Sequence, residues 1–277
     1  MDGRRLTLDM AGINNQNFVL RDRQTGSWWQ QATGEAFLGP LRGRRLRLVF
    51  ADEIAFSIWR SEHPEGRVLR PAADLTWRTW SAGWEEKTAR LPLAAGASGA
   101  AGRERLPPRA VVLGLDRGAA ARAWPVELLR RQAAVMDDLG GLGVVILVGE
   151  DGRSLRVFES TVDGRPVPFF AKLGGGPGAP AGPGGTAGTG GTRGTGGADG
   201  SAGPSPGEAA TAAAAPRRWI DGASGSEWDF QGRAVAGPWR GRQLRPLPAT
   251  QDYWFDWRRY HPRTTLYTGG VAGGGAG

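Results

Sequence analysis

Short apolar stretches separated by glycine-rich turns recur along this chain, and their lengths predict strands with a few short helices. Ala110 to Leu115 reads as a strand, followed by a turn, a short helix from about Pro125, and strands near 143–149 and 154–159. Asp22 and Asp221 each open a hairpin connection of about four residues that ends at a Gly-Ser pair, with strands on both sides. Gly-Pro and Arg-Gly pairs at 39–43 and 237–241 mark a second tight turn. Beyond it a short helix is expected in each segment, capped by Asp52 or Thr250 and ended before Pro64 or Pro262. On those helices Phe56, Trp59 and His63 share one face, and Trp254, Trp257 and His261 repeat the stripe.

Two segments, residues 22–69 and 221–267, carry the same pattern. Asp22, Gly26, Ser27 and Trp29 recur as Asp221, Gly225, Ser226 and Trp228. After a one-residue deletion Gly34, Ala36, Gly39, Pro40 and Leu46 answer to Gly232, Ala234, Gly237, Pro238 and Leu244, and Trp59 and His63 to Trp257 and His261. Asp2-Gly3-Arg4 likewise resembles Asp163-Gly164-Arg165. The strands expected between 110 and 159 precede only the second copy, so about fifty residues of the first repeat are expected to be missing from the chain as written. The expected class is α+β, mainly β, with two pseudo-symmetric lobes built from an internal repeat.

Composition changes that picture at one place. Gly, Pro, Ala and Thr fill residues 173–216, a tract too poor in apolar side chains to repay the entropy of ordering, so a disordered insertion in the second copy is expected there. The domain reading is therefore 1–106 for the incomplete first lobe and 107–172 for the front half of the second. Residues 217–267 form its back half, after the insertion, and 268–277 a flexible tail.

A net charge of +8 invites an acidic partner, but the positive charge is almost all Arg and is interspersed with acids such as Asp52, Glu53, Glu85 and Glu86. Arg, Gly and Ala are over-used together, as G+C-rich bacterial-type codons would produce, so the pattern argues against nucleic acid as the partner. The absence of cysteine excludes disulfides, thiolate metal sites and cysteine nucleophiles. Val144 to Val148 is the longest strongly apolar run, far short of the roughly twenty residues a membrane helix needs. As written, the chain reads as soluble and cytoplasmic, with export following only from an upstream segment.

The strings DRQTGSWWQQATGEAFLGPLRGRRL and DGASGSEWDFQGRAVAGPWRGRQL, each followed by an aromatic helix ending in His-Pro, resemble the family catalogued as domain of unknown function 3179. The likeness runs from about residue 2 to 267 apart from the insertion, and takes in Arg122, Ala123, Trp124 and Pro125 as well as Asp138, Gly140 and Gly141. The resemblance implies a complete first unit that often carries a cysteine motif, and with it a thiol oxidoreductase in full-length relatives. Here the equivalent stretch of the second copy, Val145 to Glu150, has no cysteine.

Each repeat supplies the residue types of a hydrolase triad: Asp22, Ser27 and His63, then Asp221, Ser226 and His261. The same residues suit structural work, because Asp at the first position of a turn accepts backbone hydrogen bonds and His at a helix C-terminus is favoured by the dipole. Two histidines at equivalent points of separate repeats do not make a metal site, and no cofactor is expected. Asp137 and Asp138, before Gly140 and Gly141, read as part of a turn into the 143–149 strand. Trp77, Trp80 and Trp84, at i, i+3 and i+7, are the candidate ligand-binding aromatics among 12 tryptophans. The expected function is a β-rich module that holds a ligand or protein partner between its lobes, with an enzyme as the alternative.

Overall fold

The run Leu142–Val148 is apolar at consecutive positions because it is covered on both faces. Val144, Ile146 and Val148 point into one core, while Val145 and Leu147 point into another. A computed structural model describes residues 3, 5–14, 17–49, 51–70, 83, 87, 90–93, 106–172 and 217–269. In chain order its first elements are β1 (Leu8–Asn14), β2 (Asn17–Asp22), β3 (Trp28–Gln30), β4 (Ala36–Leu38) and α1 (Phe56–Glu62). They are followed by β5 (Val111–Asp116), β6 (Ala121–Pro125), α2 (Val126–Leu129), β7 (Ala134–Leu139), β8 (Leu142–Val148) and β9 (Leu155–Glu159). The short pair β10 (Thr161–Val162) and β11 (Arg165–Pro166) leads to β12 (Phe169–Ala171), β13 (Trp219–Asp221), β14 (Glu227–Trp228) and β15 (Ala234–Ala236). Last come β16 (Thr250–Tyr253), α3 (Trp254–Tyr260) and β17 (Thr265–Leu266). The fold is thus α+β and mainly β, as the short apolar segments predict.

The antiparallel sheet β7-β8-β9 lies between two others. On one face Leu155 and Val157 join Leu113, Leu115 and Trp124 of the sheet ordered β16-β5-β6-β17. On the other, Phe158 joins Phe169, Trp219 and Trp228 of the sheet ordered β12-β13-β14-β15. Trp124, Trp219 and Trp228 are fully buried, and the loss of such a ring costs about 3–5 kcal/mol.

Residues 8–38, and residues 169–171 with 219–236, form closely similar sheets. Both are four-stranded with strands in sequence order, β1-β2-β3-β4 and β12-β13-β14-β15, and both slip register by a bulge at the same point, between Trp28 and Trp29 and between Glu227 and Trp228. Gly39 and Gly237 have φ of 95° and 89°, and a Cβ at either would lie within 2.7 Å of the Ser27 or Ser226 Cα. Only glycine meets both demands, which is why the Gly-Pro turn follows the Gly-Ser turn at a fixed distance.

The structure differs from the expected pattern in three places. The helix N-caps are Ala55 and Tyr253, without side-chain capping bonds, whereas Asp52 is drawn away by Arg156 and Thr250 begins β16. Tertiary ion pairing and strand pairing outcompete a local cap worth about 1 kcal/mol. Asp137 and Asp138 belong to β7, and the turn is confined to Gly140 and Gly141, both at positive φ. Strand β6 was hidden by its Arg-Ala-Trp-Pro composition, although its alternate residues Ala121, Ala123 and Pro125 are buried.

Candidate functional site

In each Gly-Ser turn one buried carboxylate gathers the local donors. Asp22 accepts the backbone N–H of Thr25 (2.5 Å) and Ser27 (3.1 Å), the Thr25 hydroxyl (2.9 Å) and the Trp29 indole N–H (2.9 Å). Asp221 does the same with Ser224 N–H (2.5 Å), Ser226 N–H (3.1 Å), the Ser224 hydroxyl (2.9 Å) and the Trp228 indole (2.9 Å). Burial pushes both carboxyls up, but the indole, hydroxyl and backbone donors outweigh it and hold them below the ordinary aspartate value.

The serines are engaged as well. Ser27 Oγ accepts the Leu41 N–H (3.0 Å) and lies 2.7 Å from the Thr25 hydroxyl, and Ser226 Oγ accepts the Trp239 N–H (2.9 Å) and lies 2.7 Å from the Ser224 hydroxyl. Both serines are fully buried. The histidines make their contacts elsewhere. His63 is the C-cap of α1 and rests on Trp59 (5.6 Å). His261 is the C-cap of α3, stacks on Trp257 (3.8 Å) and places Nδ1 2.9 Å from Asp116. The structure therefore joins Asp, Ser and Trp within each turn, and pairs each histidine with the tryptophan one helical turn before it.

An open cleft lies where α1 meets the second half of the chain. Its first compartment, about 280 Å³, is lined by Ile58, Glu62, Glu150, Arg218, Trp219 and Phe230, among others. A second of about 270 Å³ shares Glu62 and Gln231 with it and adds Asp52, His63, Arg156 and Phe158. Arg156 holds the cleft together. Its side chain, 6% exposed, donates to Asp52 (2.8 Å) and in bidentate fashion to Glu62 (2.6 and 2.8 Å), and its guanidinium lies 4.7 Å above the Phe230 ring. Burial pushes Glu62 up, yet the hydrogen bond and charge of Arg156 outweigh it and the net shift is downward. The Ala55 N–H donates to Ser154 Oγ (2.8 Å), so the start of α1 is tied to the β8–β9 turn as well. The cleft floor is rigid, since the buried Trp219 donates its indole N–H to the Ala133 carbonyl (3.0 Å) and packs 6.1 Å from Phe230.

A second junction of the two halves is polar. The Asn17 amide donates to Asp256 (2.5 Å) and Gln30 donates to the Tyr260 hydroxyl, joining β2 and β3 to α3. Asp256 is buried, and Asp252, four residues earlier in β16, shares a hydrogen bond with it. Burial and then the Asp256 charge push Asp252 up to about 7. A raised carboxyl pKa means that the native state binds the proton more tightly than the unfolded chain, whose value is 3.8. Stability is expected to fall as pH rises from about 4 to about 7 and then to level off. Denaturant titrations across that window check this, and Asp252→Asn should flatten the slope; an unchanged slope in the variant would reassign it to another group.

Trp77, Trp80 and Trp84 lie outside the described residues, as does the 173–216 tract. The aromatics that do line the cleft are Trp219 and Phe230, and the sequence signal that could have found them is modest. Asp229-Phe230-Gln231 is a polar turn carrying one large apolar ring, between a buried Trp228 and a Gly at positive φ. Arg156 was equally hidden, as a charge between the apolar Leu155 and Val157 of the strand LRVFE. A charge flanked by apolar residues in such a strand is a usable sign of a buried partner. Among the described residues no helix is long and apolar enough to cross a membrane.

No curated protein and no solved structure matches the chain. The sequence profile of one family does, over residues 1–264, which include both Asp-Ser-Trp turns, both His-capped helices and every residue of the cleft. The chain belongs to that family, described as "Protein of unknown function (DUF3179)".

Proposed function

We propose that the protein is a binding module whose site is the cleft between α1 and the β8–β9 and β14–β15 turns, in a framework of two repeated Asp-Ser-Trp units. The observation that carries this reading is the convergence of Glu62, Arg156, Phe230 and Gln231 on one opening where two distant stretches of chain meet. Small-molecule sites favour such junctions, with an apolar floor and a few fixed polar groups. Preorganisation supports the reading further: Trp219, Arg156 and Glu62 are each held by partners before any ligand arrives, so little ordering entropy is lost on binding.

The test is a thermal-shift screen of amino acids, sugars, nucleotides and small carboxylic acids at millimolar concentration, on the wild type and on Phe230→Ala. Phe230 is half-buried, so its truncation is tolerable for the fold. A compound that stabilises the wild type and loses at least tenfold in affinity in the variant supports the cleft, tenfold being about 1.4 kcal/mol of lost ring contact. Equal stabilisation of both proteins would place binding elsewhere.

A further inference from the structure

We infer that the cleft takes a small zwitterion of amino-acid size, bound through Arg218 and Glu150; this rests on the cleft being a binding site. Most charges around the opening are already satisfied: Arg156 by Asp52 and Glu62, and Arg217 by the carbonyls of Val148 (3.0 Å) and Gly149 (3.2 Å). Asp229 accepts the Arg233 backbone N–H (2.9 Å). Two groups stand apart. Among the described residues the Arg218 guanidinium and the Glu150 carboxylate line the compartment with no ion pair or side-chain hydrogen bond, to each other or to a neighbour.

Both groups sit on fixed backbone. The Lys172 N–H donates to the Arg218 carbonyl (2.9 Å) next to the start of β13, and Trp219, the adjacent residue, is fully buried. Glu150 lies in the β8–β9 turn, which is closed by Gly149 N–H to the Ser154 carbonyl (2.8 Å) and by Asp151 accepting from Ser154 N–H (2.9 Å) and its hydroxyl (2.7 Å). Arg217 bonds to that same turn, so it sets the spacing between the strand that carries Arg218 and the loop that carries Glu150.

Opposite charges that share one opening without pairing recognise a ligand bearing the complementary two charges. A carboxylate fits the planar Arg218 fork and an ammonium fits Glu150. Between them Ile58, Trp219 and Phe230 offer apolar surface to a side chain. The 280 Å³ volume lies just below the usual range of small-molecule sites, which starts at about 300 Å³, and so matches a ligand as small as an amino acid.

Calorimetric titration of the full chain with four probes separates the alternatives: L-phenylalanine, N-acetyl-L-phenylalanine, L-phenylalaninamide, and the doubly capped N-acetyl-L-phenylalaninamide. The expected order is L-phenylalanine tightest, with each single-charge analogue weaker by about tenfold or more, the worth of one charge-assisted hydrogen bond. Arg218→Met should abolish the advantage conferred by the carboxylate and leave that of the ammonium, and Glu150→Gln the reverse. Both side chains are free of partners among the described residues, so neither variant is expected to unfold. If all four probes bind alike and depend on Phe230, the zwitterion inference is wrong while the cleft stands as a site. If none binds, and amino acids and dipeptides of other side chains also fail, the inference is overturned; a different hit from the wider screen that depends on Phe230 would still uphold the cleft.

Discussion

Asp221→Ala is expected to destabilise the fold by about 4 kcal/mol, near the top of the range for single substitutions. The carboxylate is 1% exposed and accepts from Ala223 N–H, Ser224 N–H and hydroxyl, Ser226 N–H and the Trp228 indole. Removing it leaves the Trp228 indole buried without an acceptor and the Ser226 N–H with only the Ser224 hydroxyl at 3.2 Å, at about 1–3 kcal/mol for each donor that loses its bond. The turn also loses the anchor that sets Trp228 in the core. Asp221→Asn keeps one acceptor oxygen but turns amide hydrogens toward donors, so it should fall between wild type and alanine. Urea denaturation gives the ordering. The depressed folded pKa adds a signature: the stability Asp221 contributes is present above its unfolded value of 3.8 and is lost as pH falls through the folded one. Alanine should therefore shrink the acid limb of the stability profile. A loss below about 1 kcal/mol would show that water reaches these donors after truncation.

Arg156→Met should cost about 3 kcal/mol and act mainly on the junction between α1 and the β-sheets. One guanidinium neutralises Asp52 and Glu62 from the buried side, and its removal leaves two carboxylates facing each other across the cleft. Methionine replaces the guanidinium over Phe230 with a thioether that can also lie against the ring, so the cavity left by truncation is small and the loss is mainly electrostatic. Pairing the variant with Glu62→Leu should restore part of the loss, since an apolar pair of similar volume can replace a buried ion pair. Amide exchange locates the effect: α1 amides should exchange faster, while those of β8, in the doubly covered strand, should hold. Uniform loosening of β8 and α1 together would mean that Arg156 supports the whole core.

Much of the architecture was legible from local chemistry. The paired Asp-x-x-x-Gly-Ser-x-Trp turns could be read because every member of the network lies within eight residues, so spacing alone places the acceptor under its donors. The His-Pro helix ends were legible for the same reason, and His63 and His261 have nearly the same backbone angles as C-caps. The candidate site was not legible. Arg156 reaches Asp52 and Glu62 across sequence separations of 104 and 94 residues, and no local pattern encodes such a meeting.

The Asp, Ser and His set shows how residue type alone leaves a catalytic and a structural reading side by side. Asp22 and Ser27 do come together, but the Ser27 hydroxyl is taken up by the Leu41 N–H and the Thr25 hydroxyl, and His63 stays at the end of α1 with Trp59. Local hydrogen-bond demand, imposed by the burial of the Asp22 and Ser27 side chains, accounts for both polar residues. Asp137 teaches the converse. Its acidic neighbour and the following glycines suggested a solvated turn, yet it lies on β7 and accepts the Arg122 guanidinium and the Trp124 indole (2.6 Å). A carboxylate that gathers an indole N–H thus recurs a third time in this fold, here across two strands.

By itself, the sequence determined what short-range physics can determine: strands from apolar length, turns from Gly-Pro and Gly-Ser, helix ends from His-Pro, and the Asp that accepts backbone hydrogen bonds at the head of each Gly-Ser turn. Only the tertiary structure decided which faces of β8 meet which sheet, that Asp52 serves Arg156 instead of a helix cap, and that Glu150 and Arg218 open onto one cleft. These outcomes depend on contacts between distant segments, whose energies of a few kcal/mol override local preferences of about one.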